Sequence, residues 1–256
     1  MFRISFCLGI LVVLLAALPA RGDQLTLVTL ESPPAEFRAN GTPSGRNVDI
    51  VVEGLQRMGH TAQILFRPWR RALEMVKQGA AHAIIDAARN AERAAYLYFP
   101  EEPLYVEEWY AFRRAGNDLT LDKDFGNAGR VTLSVVRGFE YGGPIQTAID
   151  QGRFKALEVA SDNDINLRKL LARRCDMILG VKLTMRYMAA QMGKAEAIEI
   201  VPMTETGEPY RLNASETFLA FSKKKTDPAL AADFSKTLAA MKADGTIDQI
   251  ERTYFK

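Results

Sequence analysis

Apolar and polar residues change period repeatedly along this chain, and each change marks an element. Gln24 to Leu30 reads as a strand, and Val48, Val51, Val52 and Leu55 recur at helical spacing until Gly59 stops the helix. Ala62 to Phe66 is a second strand. Pro68 then opens a helix with Trp69, Ala72, Leu73 and Val76 on one face, since proline in a first helical turn forfeits no hydrogen bond. Gly79 closes that helix and a strand, Ala81 to Ile85, follows. Tyr105 to Arg113 is a longer extended run and Asn117 to Gly129 is polar and loop-like. A second series begins with a strand at Val131 to Val136, a glycine turn (Gly138, Gly142, Gly143) and a helix from Pro144. Helix Asn163 to Arg173, strand Met177 to Leu179, helix Leu183 to Gln191 and strand Ala197 to Val201 continue it. Thr204 to Ala214 reads as a loop and Glu216 to Ser222 as extended chain. Asp227 and Pro228 start a helix striped with Leu230, Phe234, Leu238 and Met241, ended by Gly245. Thr246 and Gln249 are spaced as a capping box for a last helix reaching Tyr254.

Alternating strands and helices predict an α/β fold with largely parallel sheets. The chain leaves one lobe near Ala111 and returns near Ser215, so two extended crossings form a hinge. This predicts one lobe from residues 23–111 plus 216–256 and a second from 112–215. Lobes joined in this way can close on a ligand and expel its water.

The first 22 residues read as a cleavable secretory leader: Arg3 is the charged start, Leu8 to Leu18 the apolar stretch, and Ala20 and Gly22 the small residues before the cut. Cleavage places the mature protein in the periplasm. The whole chain carries 33 Lys plus Arg against 31 Asp plus Glu. Arg3 and Arg21 leave with the leader, so the mature chain balances near zero and gives no nucleic-acid signal. Cys7 leaves too, and Cys175 beside Met177 and Ile178 is expected as a buried structural thiol. His60 and His82 stand apart from any acidic or thiol cluster, so neither a metal site nor a Ser-His-Asp arrangement is expected, and no cofactor.

The stretch Ala80 to Pro100 carries the most chemistry. An apolar strand runs into the polar turn Asp86-Ala87-Ala88-Arg89-Asn90, then Arg93, then an aromatic patch ending at Phe99-Pro100. A guanidinium presented at a strand end suits capture of a small anion, because its fork of donors matches two carboxylate oxygens.

Several segments together resemble the family 3 solute-binding proteins of bacterial ABC importers, the polar amino-acid type. They are Pro33-Pro34, Gly45 with Asp49-Ile50, Pro68-Trp69-Arg70-Arg71-Ala72-Leu73, Ala91-Glu92-Arg93, Phe99-Pro100 and Val136-Arg137-Gly138. Leu219 to Lys223 and Asp244 to Ile250 complete an ordered set covering nearly all of the mature chain. The resemblance implies a type II periplasmic binding protein, a monomer whose lobes close over a small solute and deliver it to an inner-membrane permease. It implies that Arg93 pairs with a ligand carboxylate, that Trp69 lines the cleft, and that Gly138, Phe139 and Glu140 form the second-lobe turn facing the ligand. Where family members carry an acid for the ligand's ammonium, this chain has Gly180-Val181-Lys182-Leu183; Glu140, Asp86 or Glu31 could meet an ammonium instead. The same family likeness extends to periplasmic dehydratases, for which Glu31, Asp86 or Glu140 would supply a proton while Arg93 and Arg89 hold carboxylates. It extends also to accessory or sensory flytraps. A binding protein without catalysis is the leading expectation.

Overall fold

The computed structural model describes residues 22–254. The leader therefore lies, but for Gly22, outside the described residues. The chain opens with β1 (Gln24–Thr29), a hairpin of β2 (Phe37–Ala39) and β3 (Thr42–Ser44), α1 (Arg46–Arg57), β4 (Thr61–Phe66), α2 (Trp69–Gln78) and β5 (Ala83–Ala88). A short α3 (Ala91–Ala94) and β6 (Leu97–Tyr98) lead to the long β7 (Tyr105–Arg114). Next come β8 (Thr132–Val136), α4 (Gly143–Asp150), β9 (Ala156–Ala160), α5 (Asn163–Leu171), β10 (Met177–Val181), α6 (Lys182–Gln191) and β11 (Ile198–Ile200). The chain ends with β12 (Arg211–Ser222), α7 (Pro228–Ala243) and α8 (Thr246–Tyr254).

The main sheet has ten strands, eight of them in the order β4-β1-β5-β12-β7-β10-β8-β9. β1 is parallel to β4 over its whole length, Gln24 facing Thr61 and Thr29 facing Phe66, and parallel to β5. At the other end β10, β8 and β9 are parallel. Between these halves β12 and β7 run antiparallel to each other and to their outer neighbours. Among the described residues only these two strands carry the sheet from one half to the other.

Strand periodicity decides which side of each sheet is filled. In β1, Leu25 and Leu27 pack with Ile50, Leu55, Phe221, Phe234 and Leu238, while Val28 turns the other way onto Trp69, Val76 and Ile84. The second lobe repeats the plan, with Leu133, Ile145 and Leu179 on one face and Leu167, Ile178 and Met185 on the other. Phe139 is half-buried against a cluster of each lobe. Cys175 is buried as expected, and burial pushes its thiol up to about 11.

The structure differs from the sequence expectation in local places. β12 starts at Arg211, inside the expected loop, because Arg211 to Thr217 pairs with β7 from Tyr110 back to Tyr105. β5 runs on to Ala88, and the polar turn placed at Asp86 is strand. The edge strand β9 and the β2–β3 hairpin were not expected; the hairpin strands are short with little apolar content, and β9 is a short run exposed along most of its length. Pro68 stands just before α2 rather than within its first turn. The start of α8 is held by Asp244, which accepts from the Thr246 N–H and hydroxyl at 3.0 and 2.6 Å, in place of the Thr246–Gln249 box. Among the described residues no helix is long and apolar enough to cross a membrane.

Candidate functional site

The strand ends of both lobes meet around a narrow recess with a cavity volume of about 40 Å³. Its wall includes Leu30, Ser32, Trp69, Asp86, Ala88, Arg93, Glu107, Trp109, Phe139, Glu140, Asn163 and Val181.

Arg93 is positioned by the turn after β5. The Asn90 side chain caps α3, accepting from the Arg93 backbone N–H at 2.8 Å. The guanidinium, 4 % exposed, donates to the Ala88 carbonyl at 3.0 Å and across the cleft to the Gly138 carbonyl at 3.2 Å. It lies over the Trp69 ring at 5.6 Å. Burial pulls its pKa down, while Tyr96, Glu140, Glu92 and Asp86 act to keep it charged.

Asp86 owes its direction to an irregularity. Pairing of β5 with β12 shifts between Phe218 and Ala220, opposite Ile85 and Asp86, and Asp86 takes a left-handed backbone with φ 72°. A bulge of this kind re-aims one side chain out of the alternation, and here it turns a carboxylate onto the recess. Glu107 arrives from β7, on the face it shares with Trp109 and Ala111. Behind both lies Glu36, fully buried, which accepts from Asn47 Nδ2; the same amide donates to Asp86 Oδ1 at 3.4 Å. Arg46 Nη1 in turn donates to Asn47 Oδ1 at 2.5 Å. Burial raises all three carboxyls, and mutual repulsion with Asp86 raises Glu107 and Glu36 further.

The lobes touch at several points beside Arg93. Asn90 Nδ2 donates to Glu140 Oε2 at 3.3 Å and the Ser32 and Thr184 hydroxyls lie 3.4 Å apart. Phe139 sets its ring edge to face against Trp69, centroids 6.2 Å apart, and against Trp109 at 5.9 Å.

Set against the sequence expectations, Arg93, Trp69, Asp86, Phe139 and Glu140 all line the recess. Gly138 contributes its carbonyl to Arg93. Its turn offers no free helix start: α4 begins only at Gly143, and the Phe139 N–H is taken by the Val136 carbonyl. Two expected residues are elsewhere. Arg89, just past the end of β5, points away from the recess that Ala88 lines: it donates to the Pro100 carbonyl at 2.6 Å and stacks over Phe218 at 4.7 Å. Glu31 pairs with exposed Arg38 outside the recess. The residues that sequence reasoning missed are Glu107, Trp109, Glu36, Ser32 and Asn163. Glu107 left one legible signal, an acid on the apolar face of a strand that also carries Trp109.

A family model described as bacterial extracellular solute-binding proteins, family 3, matches residues 25–256. The chain belongs to that family. Among solved structures, a histidine kinase sensor domain with similarity to periplasmic binding proteins superposes with a TM-score of 0.77 at 20 % identity, covering 92 % of this chain and 97 % of that one. An ancestral arginine-binding protein bound to arginine does so with 0.77 at 17 % identity, covering 91 % and 98 %. An ancestral amino-acid-binding protein described as a precursor of cyclohexadienyl dehydratase gives 0.71 at 17 % identity, covering 91 % and 96 %. No curated protein matches the chain. These likenesses establish a type II periplasmic-binding-protein fold, and the family membership establishes a solute-binding protein.

Proposed function

We propose that this family 3 protein works in the periplasm as a monomer, closes its lobes over a small carboxylate-bearing, amino-acid-like solute and delivers it to an inner-membrane ABC permease. The lobes would divide at residues 111 and 216, so that β7 and β12 bend where they cross. Arg93 carries the reading. It is the cation of the recess, buried, stacked on Trp69, and in reach of both lobes at once. A buried guanidinium favours anionic partners, and a ligand carboxylate would add to Asp86 and Glu140 beside it. The remaining predicted residues take supporting places: Trp69 and Phe139 as apolar walls, Asp86 and Glu140 as acceptors, Gly138 as the contact that Arg93 makes when the lobes meet.

The test is a thermal-shift and calorimetric screen of amino acids, carboxylates and amines, repeated on Arg93→Ala. A hit is expected to lose about 2–5 kcal/mol of binding free energy on that substitution. A hit of unchanged affinity would remove Arg93 from the site and with it the carboxylate reading.

One observation supports a second reading. Asp86 and Glu107 face the recess with raised pKa values, the state a general acid needs to protonate a leaving hydroxyl. Incubation with prephenate or arogenate and product analysis decides between the two: turnover abolished by Glu107→Gln supports an enzyme, and unchanged substrate supports binding alone.

A further inference from the structure

Outside the recess, an open groove of about 500 Å³ runs along the seam between the lobes. Pro68, Arg70, Arg71 and Glu74 line it from the α2 side, and Arg137 and Ser161 from the other. The two sides approach closely: a Cβ added to Gly138 would sit 3.5 Å from the Arg70 Cβ. The Arg137 N–H donates to the Ala160 carbonyl at 2.9 Å, which fixes that residue beside Ser161. Arg70, Arg71 and Arg137 are all exposed, and among the described residues no hydrogen bond or ion pair holds their guanidiniums. The acids nearby are committed elsewhere. Glu74 accepts from Gln78 at 2.6 Å, Asp162 caps α5 and accepts from the Ser161 hydroxyl at 2.8 Å, and Asp164 pairs with Arg168 at 2.7 Å. The first turn of α2 has no acid and no side-chain cap. Two arginines there stand at the positive end of the helix, where electrostatics disfavours a cation.

Three like charges facing one groove repel one another and raise the local concentration of anions. A single exposed ion pair is worth little, so a lone carboxylate gains little from any one of these arginines. A multivalent oxyanion gains from all three, and each guanidinium fork matches two of its oxygens. We propose that this groove is a second anion site, separate from the recess, which takes a phosphate-class oxyanion on Arg70 and Arg71 from one lobe and on Arg137 from the other. An anion held from both sides ties the lobes together at their seam. The site rests on no solute in the recess, so the two can be tested apart.

The experiment is isothermal titration of the full mature protein with pyrophosphate, beside co-sedimentation with phosphatidylglycerol vesicles against phosphatidylcholine vesicles, all at low ionic strength because salt screens exposed charges. Pyrophosphate binding identifies a free oxyanion; binding to the anionic vesicles alone identifies a lipid headgroup of the same chemistry. Arg71→Gln and Arg137→Gln are each expected to weaken binding, and the two together by at least about tenfold. Arg252→Gln removes the same charge from an exposed position on α8 and is expected to change binding by less than about twofold. The substituted arginines are exposed and unpaired, so a melting temperature near that of the wild type is expected and checks folding. If only one of Arg71→Gln and Arg137→Gln weakens binding, the anion sits on one lobe and the bridging role is overturned. If neither does, or if neither pyrophosphate nor anionic vesicles bind, the site itself is overturned. Binding of poly-glutamate alone would also overturn the oxyanion and assign the groove to an acidic protein segment. Pyrophosphate binding with no hit in the solute screen would leave this site standing and remove the support for uptake.

Discussion

Phe139 is a residue through which the two lobes touch. Its ring meets Trp69 of the first lobe and Trp109 and Tyr141 of the second region at centroid distances between 5.9 and 6.2 Å. Each such aromatic contact is worth about 0.5–1.5 kcal/mol beyond area burial. Phe139→Ala should therefore weaken ligand binding by roughly two- to tenfold, since its contact with Trp69 joins the two lobes. Phe234 provides the contrast: it is fully buried in the first-lobe core against Phe221. Phe234→Ala should cost about 3–5 kcal/mol of folding stability, and a chemical denaturation midpoint measured beside ligand titration separates the two effects. Trp69 and Arg93 were legible from sequence because each stands in a motif. Glu107 was not, because its role depends on β7 placing it beside Asp86, fifth strand against seventh, across β12.

At the scale of elements, glycine and the β5 bulge decide where the site's parts point. Gly45 precedes α1 with φ 123°, and a Cβ there would come within 2.3 Å of the Ala35 carbonyl oxygen. That backbone belongs to the Ser32–Glu36 turn, which supplies Ser32 to the recess and Glu36 behind it. Gly45→Ala should lower stability by about 1–3 kcal/mol through strain alone and more through the clash. Differential scanning calorimetry would read this, and a melting temperature equal to wild type would show that the turn can move aside. Helices were the best-read elements, since apolar spacing and terminal Gly79 and Gly245 announce them. The strands that went unread, β9 and the first third of β12, are exposed or half-exposed at their edges and owe their conformation to partners that are distant in the chain.

For the whole molecule, the buried carboxyl group cluster sets a pH dependence. Glu36, Asp86 and Glu107 have folded pKa values above their ordinary ones, mainly because burial disfavours the charge. They face each other and also Arg46, Arg93, Asn47 and Thr217, with Glu140 across the recess. Below the ordinary carboxylate range folded and unfolded chains are both protonated. As pH rises the unfolded chain releases its protons first, so the unliganded protein loses stability until the folded groups ionise as well. His82, lowered by burial, acts in the opposite sense on the acid side of its ordinary value of 6.5. The melting temperature of the empty protein should therefore fall between mildly acid and mildly alkaline pH. Glu107→Gln should flatten that fall and stabilise the empty protein by about 1 kcal/mol or more at neutral pH, as removal of a poorly compensated buried charge does. A flat profile in the wild type would mean that the cluster is neutralised by another route.

What the sequence determined by itself is the order of most strands and helices, the family, the two crossings and the position of Arg93 just after β5. All of these follow from short-range periodicity, terminal residues and motifs, which a linear reading can measure. Only the tertiary structure decided that Arg89 and Glu31 face away, that Asp86 turns inward at a bulge, and that Glu107, Asn163 and Trp109 join it. Those assignments depend on strand register between residues far apart in the chain, and a shift of one residue in that register would send each side chain to the other face.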